Sequence, residues 1–196
     1  VENLGMAYNV YKNLNSLGNK SRILTNENYK RITKTRFIDK VTNHMFMRLD
    51  ENDKFYKKCQ VKKINLDLYD AIVISDYDKG FLTEEDIEYI AKNHNMVFLD
   101  TKKNLGSWAK YINFIKINLH EYQKTKHLID KNMYDNLIIT MGAEGAKHKN
   151  VIYPVDEVEI KDVSGAGDTF LAGFVTKYMK TRCVETSINF ANVRPK

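Results

Sequence analysis

With 196 residues, of which 43% are hydrophobic, the chain has the size of one domain with a buried core. No apolar run approaches the ~20 residues of a membrane-spanning helix. The N-terminus also lacks the charged, apolar and small-residue layout of a secretory signal, so no membrane partner is expected. The formal net charge of +6 suits nucleic acid, anionic small substrates or no more than a Lys-rich surface; the basic residues are spread along the chain, so no nucleic-acid partner is expected either.

Cys59 and Cys183 lie far apart without Cys-x-x-Cys spacing, which fits a reducing cytoplasm and argues against a disulfide scaffold or zinc site. In chain order, residues 5–17 read as a helix with Ala7, Val10, Tyr11, Leu14 and Leu17 as its buried stripe and Gly18 as its stop. Residues 31–49 read as two strands. The first, Arg31 to Ile38, is polar on both faces, and in the second Val41, Met45, Met47 and Leu49 alternate with other residues. Lys34, Arg36 and Arg48 suit a substrate phosphate, which Arg binds with a bidentate fork; they equally suit a charged edge that discourages aggregation.

From Tyr69 onward the rhythm becomes strand, helix, strand. Apolar runs at 71–75, 96–99, 114–117 and 137–140 alternate with helical stretches, one opened by a capping-box pair, Thr83 and Asp86, and striped by Ile87, Ile90 and Ala91. This predicts a mostly parallel sheet covered on both faces, with ligands bound beyond the carboxyl ends of the strands. Asp76, Asp100, Asn118 and Met141-Gly142 fall at those ends. Residues 146–160 suggest a hairpin turning near Lys149-Asn150, and 184–192 a last helix.

The stretch around which these elements gather is Asp162-Val163-Ser164-Gly165-Ala166-Gly167-Asp168-Thr169-Phe170. Phe170, Leu171, Phe174, Val175, Tyr178 and Met179 follow it at helical spacing, so Gly165 to Gly167 stand where a helix begins. A helix start offers N–H groups without internal partners and partial positive charge, and glycines let an anion approach the backbone. Asp168 at the lip of such a site makes sense as a base for an attacking hydroxyl, since a carboxylate beside phosphate adds nothing to binding. A bare Gly-Ala-Gly-Asp would equally be a tight turn with an early-helix aspartate.

The nine residues DVSGAGDTF resemble the C-terminal signature of the PfkB, or ribokinase-like, carbohydrate kinases. The resemblance implies that Asp168 is the catalytic base and that Gly165, Ala166 and Gly167 form the anion hole. LGMAYNVYKNLNSLG resembles the family's N-terminal Gly-Gly-Ala-Ala-Asn region and implies substrate contacts from Gly5 and Asn9, with Met6 and Tyr8 replacing small residues. TKTRF, MRLDE and ISDYDKGFLT resemble heptose-phosphate kinases within the family, FLDTKK resembles a Val-Asp-Pro-Lys segment, and Arg36 and Arg48 become substrate ligands on a β lid. Asn118-Leu119-His120-Glu121 fits the Asn-x-x-Glu motif, implying that Asn118 and Glu121 help place magnesium through water. Thr140, Gly142 and Gly145 fit Thr-x-Gly-x-x-Gly, which lines the nucleotide, and Asn192 falls in a piece that borders the adenine.

The expectation is therefore an α/β, ribokinase-like three-layer sandwich with a mostly parallel sheet and a small β lid. Residues 1–196 form one domain in it, with 31–63 as a lid and homodimer contact. ATP and Mg2+ are the expected cofactors, and the partner is a small-molecule sugar or sugar phosphate, a heptose 7-phosphate by closest resemblance. The family's first strand and its last portion have no counterpart in the sequence. The chain thus reads as a fragment, a reduced homologue or a member completed by a partner chain.

Overall fold

The computed structural model describes residues 6–26, 31–42, 44–52, 57–155 and 165–192. Six strands lie side by side in chain order: β3 (Ile72–Asp76), β4 (Val97–Thr101), β5 (Phe114–Asn118), β6 (Leu137–Thr140), β7 (Ala146–His148) and β8 (Val151–Tyr153). The first four are parallel, β7 pairs antiparallel with β6, and β8 pairs antiparallel with β7. The β7–β8 hairpin turns at Lys149, which takes a left-handed φ of 54°, as the sequence predicted; its continuation over 156–160 lies outside the described residues.

Strand alternation builds two cores. Ile74, Val97, Leu99, Ile115, Ile117, Leu137 and Ile139 face one side, where α2 (Glu84–Asn93) contributes Ile87, Ile90 and Ala91. The Thr83–Asp86 capping box that opens α2 is formed in both directions. Phe98 and Ile138 face the other side, beneath α1 (Met6–Ser16), α4 (Ala166–Thr181) and α5 (Val184–Asn192). There Phe114 packs on Tyr178 and Phe174 with centroids 4.5 and 5.2 Å away. Each large apolar side chain so buried is worth about 1.5–3 kcal/mol, and this pattern makes the molecule a three-layer α/β sandwich. A short helix, α3 (Leu119–Thr125), follows β5 directly.

The lid is a separate two-stranded antiparallel ribbon, β1 (Thr33–Ile38) and β2 (Met45–Glu51), exposed at every position. Val41, read from the sequence as part of a strand, lies instead in the turn where the Asp39 carboxylate accepts from the Val41 and Thr42 amides. The lid ends earlier than the sequence suggests: Val61 and Leu66 are buried in the first core, because the chain after the ribbon returns to cover α2 and β3. Among the described residues no helix is long and apolar enough to cross a membrane.

Candidate active site

The N-terminus of α4 stands over the carboxyl ends of β4 and β5. Gly165 takes a left-handed φ of 88° as N-cap, a conformation that glycine adopts at no steric cost, and among the described residues no side chain caps the helix. The first turn, Ala166, Gly167 and Asp168, therefore offers backbone N–H groups and the positive end of the dipole to an anion. Asp162, Val163 and Ser164, the first half of the signature, lie outside the described residues.

Asp168 is buried, with 1% of its surface exposed. Its Oδ2 accepts from Asn9 Nδ2 of α1 at 3.2 Å, while Oδ1 has no donor among the described residues. One helical turn on, Asn13 Nδ2 donates to Thr169 Oγ1 at 3.1 Å, so α1 is stitched to the start of α4 by two amides. Burial pushes the Asp168 carboxyl up to about 6, with the Asp100 charge adding to the rise and the Asn9 bond, Lys116 and Lys102 opposing it. A carboxylate near neutrality with one oxygen available is what a general base requires.

Beneath α4 lies a pair that sequence reasoning missed. Asp100 and Lys116 are register partners on β4 and β5, and Lys116 Nζ donates to Asp100 Oδ2 at 2.7 Å with both side chains buried. Parity was the signal: in Phe-Ile-Lys-Ile-Asn the lysine shares a face with Phe114, and a lysine inside a central strand is almost never buried without a partner. Asp100 Oδ1 has no donor among the described residues. Tyr77 closes the same region: burial first, then the charges of Asp168, Asp100 and Glu121, hold its phenol well above the ordinary value. Lys102 stands over its ring at 5.4 Å.

Asn118 and Glu121 form a reciprocal capping box for α3, each accepting the other's backbone N–H at 2.8 Å. Glu121 also pairs with Lys102. The motif's first physical role is thus to start a helix, with the carboxylate already held by a cation and an amide. Among the described residues no three His, Cys, Asp or Glu side chains gather as a metal cage. Asn118 and Glu121 carry oxygen donors, the ligand type that a magnesium ion takes beside phosphates.

Thr140 is the register partner of Asn118, which brings the expected nucleotide and metal residues to adjacent strand ends. Gly142 has a φ of 65°, and no described atom lies within 4 Å of the point a Cβ there would take. Gly145 and Asn192 meet on one carbonyl: the Asn192 amide donates to Tyr153 O at 2.8 Å, and a Cβ on Gly145 would overlap that same oxygen. Asn9 is brought to Asp168, whereas Gly5 lies outside the described residues. Arg36 and Arg48 stand apart on the lid, and Arg48 forks onto Asp50 at 2.7 and 2.6 Å. They reach the site through a cleft of about 1360 Å³ that Lys34, Arg36, Arg48, Asp76, Tyr77 and Gly165 all line.

The chain is similar to known proteins in sequence and in fold. The model of the pfkB family carbohydrate kinases matches residues 10–193. The bifunctional protein HldE of a Nitratiruptor species is 29% identical over 87% of this chain and 42% of that protein. That of Helicobacter pylori (strain Shi470) is 27% identical over 88% and 43%. The chain thus spans less than half the length of these relatives. A nucleoside kinase of Methanocaldococcus jannaschii, described as an archaeal member of the ribokinase family, superposes with a TM-score of 0.68 at 20% identity, covering 96% of this chain and 78% of that one. Ribokinase from Thermotoga maritima superposes at 0.58 with 15% identity over 81% and 60%. These likenesses show the fold, which is ribokinase-like.

Proposed function

The chain belongs to the pfkB family of carbohydrate kinases, and from that premise we propose that it transfers the terminal phosphoryl group of ATP to a hydroxyl of a sugar or sugar phosphate. The observation that carries this reading is Asp168: a buried carboxylate with one oxygen unpartnered among the described residues, set in the first turn of a helix whose N-cap glycine has no capping side chain. The acceptor hydroxyl gives its proton to Asp168 Oδ1, and the Gly165–Gly167 backbone receives charge on the phosphoryl oxygens as it develops. Asn9 orients the base through Oδ2. Closing the site by the lid excludes water that would otherwise compete for the phosphoryl group.

Thr140, Gly142, Gly145 and Asn192 are the residues proposed to border ATP. Magnesium, placed near Asn118 and Glu121 through water, would neutralise charge on the nucleotide oxygens. A hollow of about 170 Å³ beside them is lined by Lys102, Lys103, Asn104, His120, Glu121 and Lys124, a basic setting suited to phosphates. Free thiols at Cys59 and Cys183 suit a cytoplasmic setting.

The acceptor best supported is a phosphorylated sugar, a heptose 7-phosphate taking the new phosphate at its anomeric hydroxyl. Two features support it: the likeness of ISDYDKGFLT and the lid to heptose-phosphate kinases, and the cationic face of β1–β2 on the cleft that reaches Gly165. The opposite lid face carries Phe37, Met47 and Leu49, 48%, 52% and 44% exposed, and is the surface proposed for a homodimer contact. Turnover of ATP with magnesium against a panel of sugars and sugar phosphates tests the reading. Acceptor-dependent ADP release that vanishes in Asp168→Asn is the expected result. ATP binding without turnover would make the chain a nucleotide-binding homologue, and release with ribose, fructose phosphate or a nucleoside alone would replace the heptose.

A further inference from the structure

The buried Asp100–Lys116 pair beneath α4 has no part in the kinase reading. Lys116 is 6% exposed and its ammonium stands 2.7 Å from the point a Cβ on Gly167 would occupy. Nothing but the bare glycine separates it from the first turn of α4. This places a full positive charge against the positive end of a helix dipole, an arrangement that is repulsive by itself. Asp100 compensates through Oδ2 only, and its Oδ1 is buried without a donor among the described residues. A purely structural role would be met as well by apolar side chains, because a buried ion pair roughly breaks even against a hydrophobic replacement. The two positive elements fit together once an anion is shared between them.

We propose that Lys116 is a direct ligand of the phosphoryl group in transfer, a side-chain cation inside the backbone anion hole, and that Asp100 is the positioning residue that holds it there. The proposal rests on the kinase reading and adds a catalytic residue to it. In the reaction the acceptor hydroxyl loses its proton to Asp168, and its oxygen forms a bond to phosphorus. The bond from phosphorus to the bridging oxygen of ATP breaks, and ADP leaves with the electron pair. Lys116 makes and breaks no covalent bond: its N–H groups turn from Asp100 toward the phosphoryl oxygens as charge gathers on them. Gly167 is a glycine in this account because any side chain there would stand between cation and anion.

The test is the double variant Lys116→Met with Asp100→Asn, which removes both charges so that none is left buried alone. Its thermal unfolding is expected within a few degrees of the parent. Its kcat is expected to fall ~100-fold, as for loss of one oxyanion-hole donor, with the acceptor KM little changed. Asp100→Asn alone, which leaves the cation untethered, should show a smaller loss, again in kcat. If the parent turns over and the folded double variant keeps its kcat within about threefold, Lys116 is structural and the proposal is overturned while the kinase reading stands. If the parent shows no turnover with any acceptor, the kinase reading fails and calorimetric titration of ATP and inorganic phosphate decides. Affinity at least tenfold weaker in the double variant supports Lys116 as an anion ligand, and equal affinity overturns it. Should the double variant unfold, Gly167→Ala keeps both charges and pushes the ammonium aside; unchanged turnover and phosphate affinity in that variant would overturn the proposal.

Discussion

Arg36 and Arg48 stand directly opposite one another in the β1–β2 ladder, two like charges on one face of an exposed ribbon. Such pairs destabilise a sheet when nothing lies between them. Arg48 is drawn toward Asp50, Lys34 stands opposite Asp50 two residues along, and Lys34, Arg36 and Arg48 line the cleft that leads to Gly165. A phosphate on the acceptor would relieve the repulsion. Arg36→Ala should raise KM for a phosphorylated sugar by ~10-fold or more, as loss of a charge-assisted hydrogen bond worth about 1.5–3 kcal/mol implies. It should leave KM for ATP and thermal stability nearly unchanged. Steady-state kinetics with matched sugar and sugar-phosphate acceptors checks this, and an equal effect on both acceptors would remove Arg36 from phosphate recognition.

The Asp168 carboxyl, pushed up to about 6 by burial, ties stability to pH. An unfolded aspartate ionises near 3.9, so between there and about 6 the folded state binds more protons and stability falls as pH rises. Above that window the buried carboxylate is fully ionised, at a cost on the order of 2–3 kcal/mol. Asp168→Asn removes that cost. The variant should unfold at a higher temperature than the parent at pH 7–8, lose the advantage below about pH 4, and show no acceptor-dependent turnover. Melting curves across that range decide it.

Asn9 acts on the same group from α1. Its amide donates to Asp168 Oδ2 and holds the carboxyl below where burial alone would put it. In Asn9→Ala the carboxyl rises further. The acid limb of kcat/KM, expected near pH 6 in the parent because that parameter reports the free enzyme's base, should move to higher pH. A variant that only loosened α1 would lower activity at every pH without moving the limb.

Much of this is legible in the sequence because it is written locally. The capping box at Thr83 and Asp86, the strand ending at Asn118 and the helix beginning at Ala166 each follow from a short pattern and a helix or strand period. Asp168 can be singled out because carboxylate and glycines are adjacent in the chain. What escapes is set by distance in sequence. Asp100 and Lys116 meet only because β4 and β5 are parallel neighbours in one register, and Lys116 by itself reads as part of an apolar run. The capping bonds between Asn118 and Glu121 are as local as those of Thr83 and Asp86, whereas the Lys102 partner of Glu121 depends on where the chain after β4 lies. The early end of the lid is hidden for the same reason: Val61 is buried by α2 and the sheet, elements that come later in the chain.

Two glycines of the proposed nucleotide loop separate a structural from a functional role. Gly145 has φ 91° and ψ −136°, a region closed to residues with a Cβ. A methyl there would overlap Tyr153 O and lie 2.9 Å from the Pro154 Cα. The Asn192 amide is bound to the same carbonyl, so the clash would also loosen α5 from the end of β8. Gly145→Ala should cost ~3 kcal/mol or more, lowering the melting temperature by roughly 6–12 °C in a chain of this size. Gly142 has a φ of 65°, but no described atom lies within 4 Å of the point its methyl would take, so Gly142→Ala should cost only ~1 kcal/mol of left-handed strain. Its methyl would instead occupy the open space above the strand end where nucleotide phosphates are proposed to lie, raising KM for ATP with little effect on the acceptor KM. Melting curves and ATP kinetics on the two variants separate these effects: a Gly142→Ala protein with normal ATP affinity would mean that the nucleotide does not pass over this backbone.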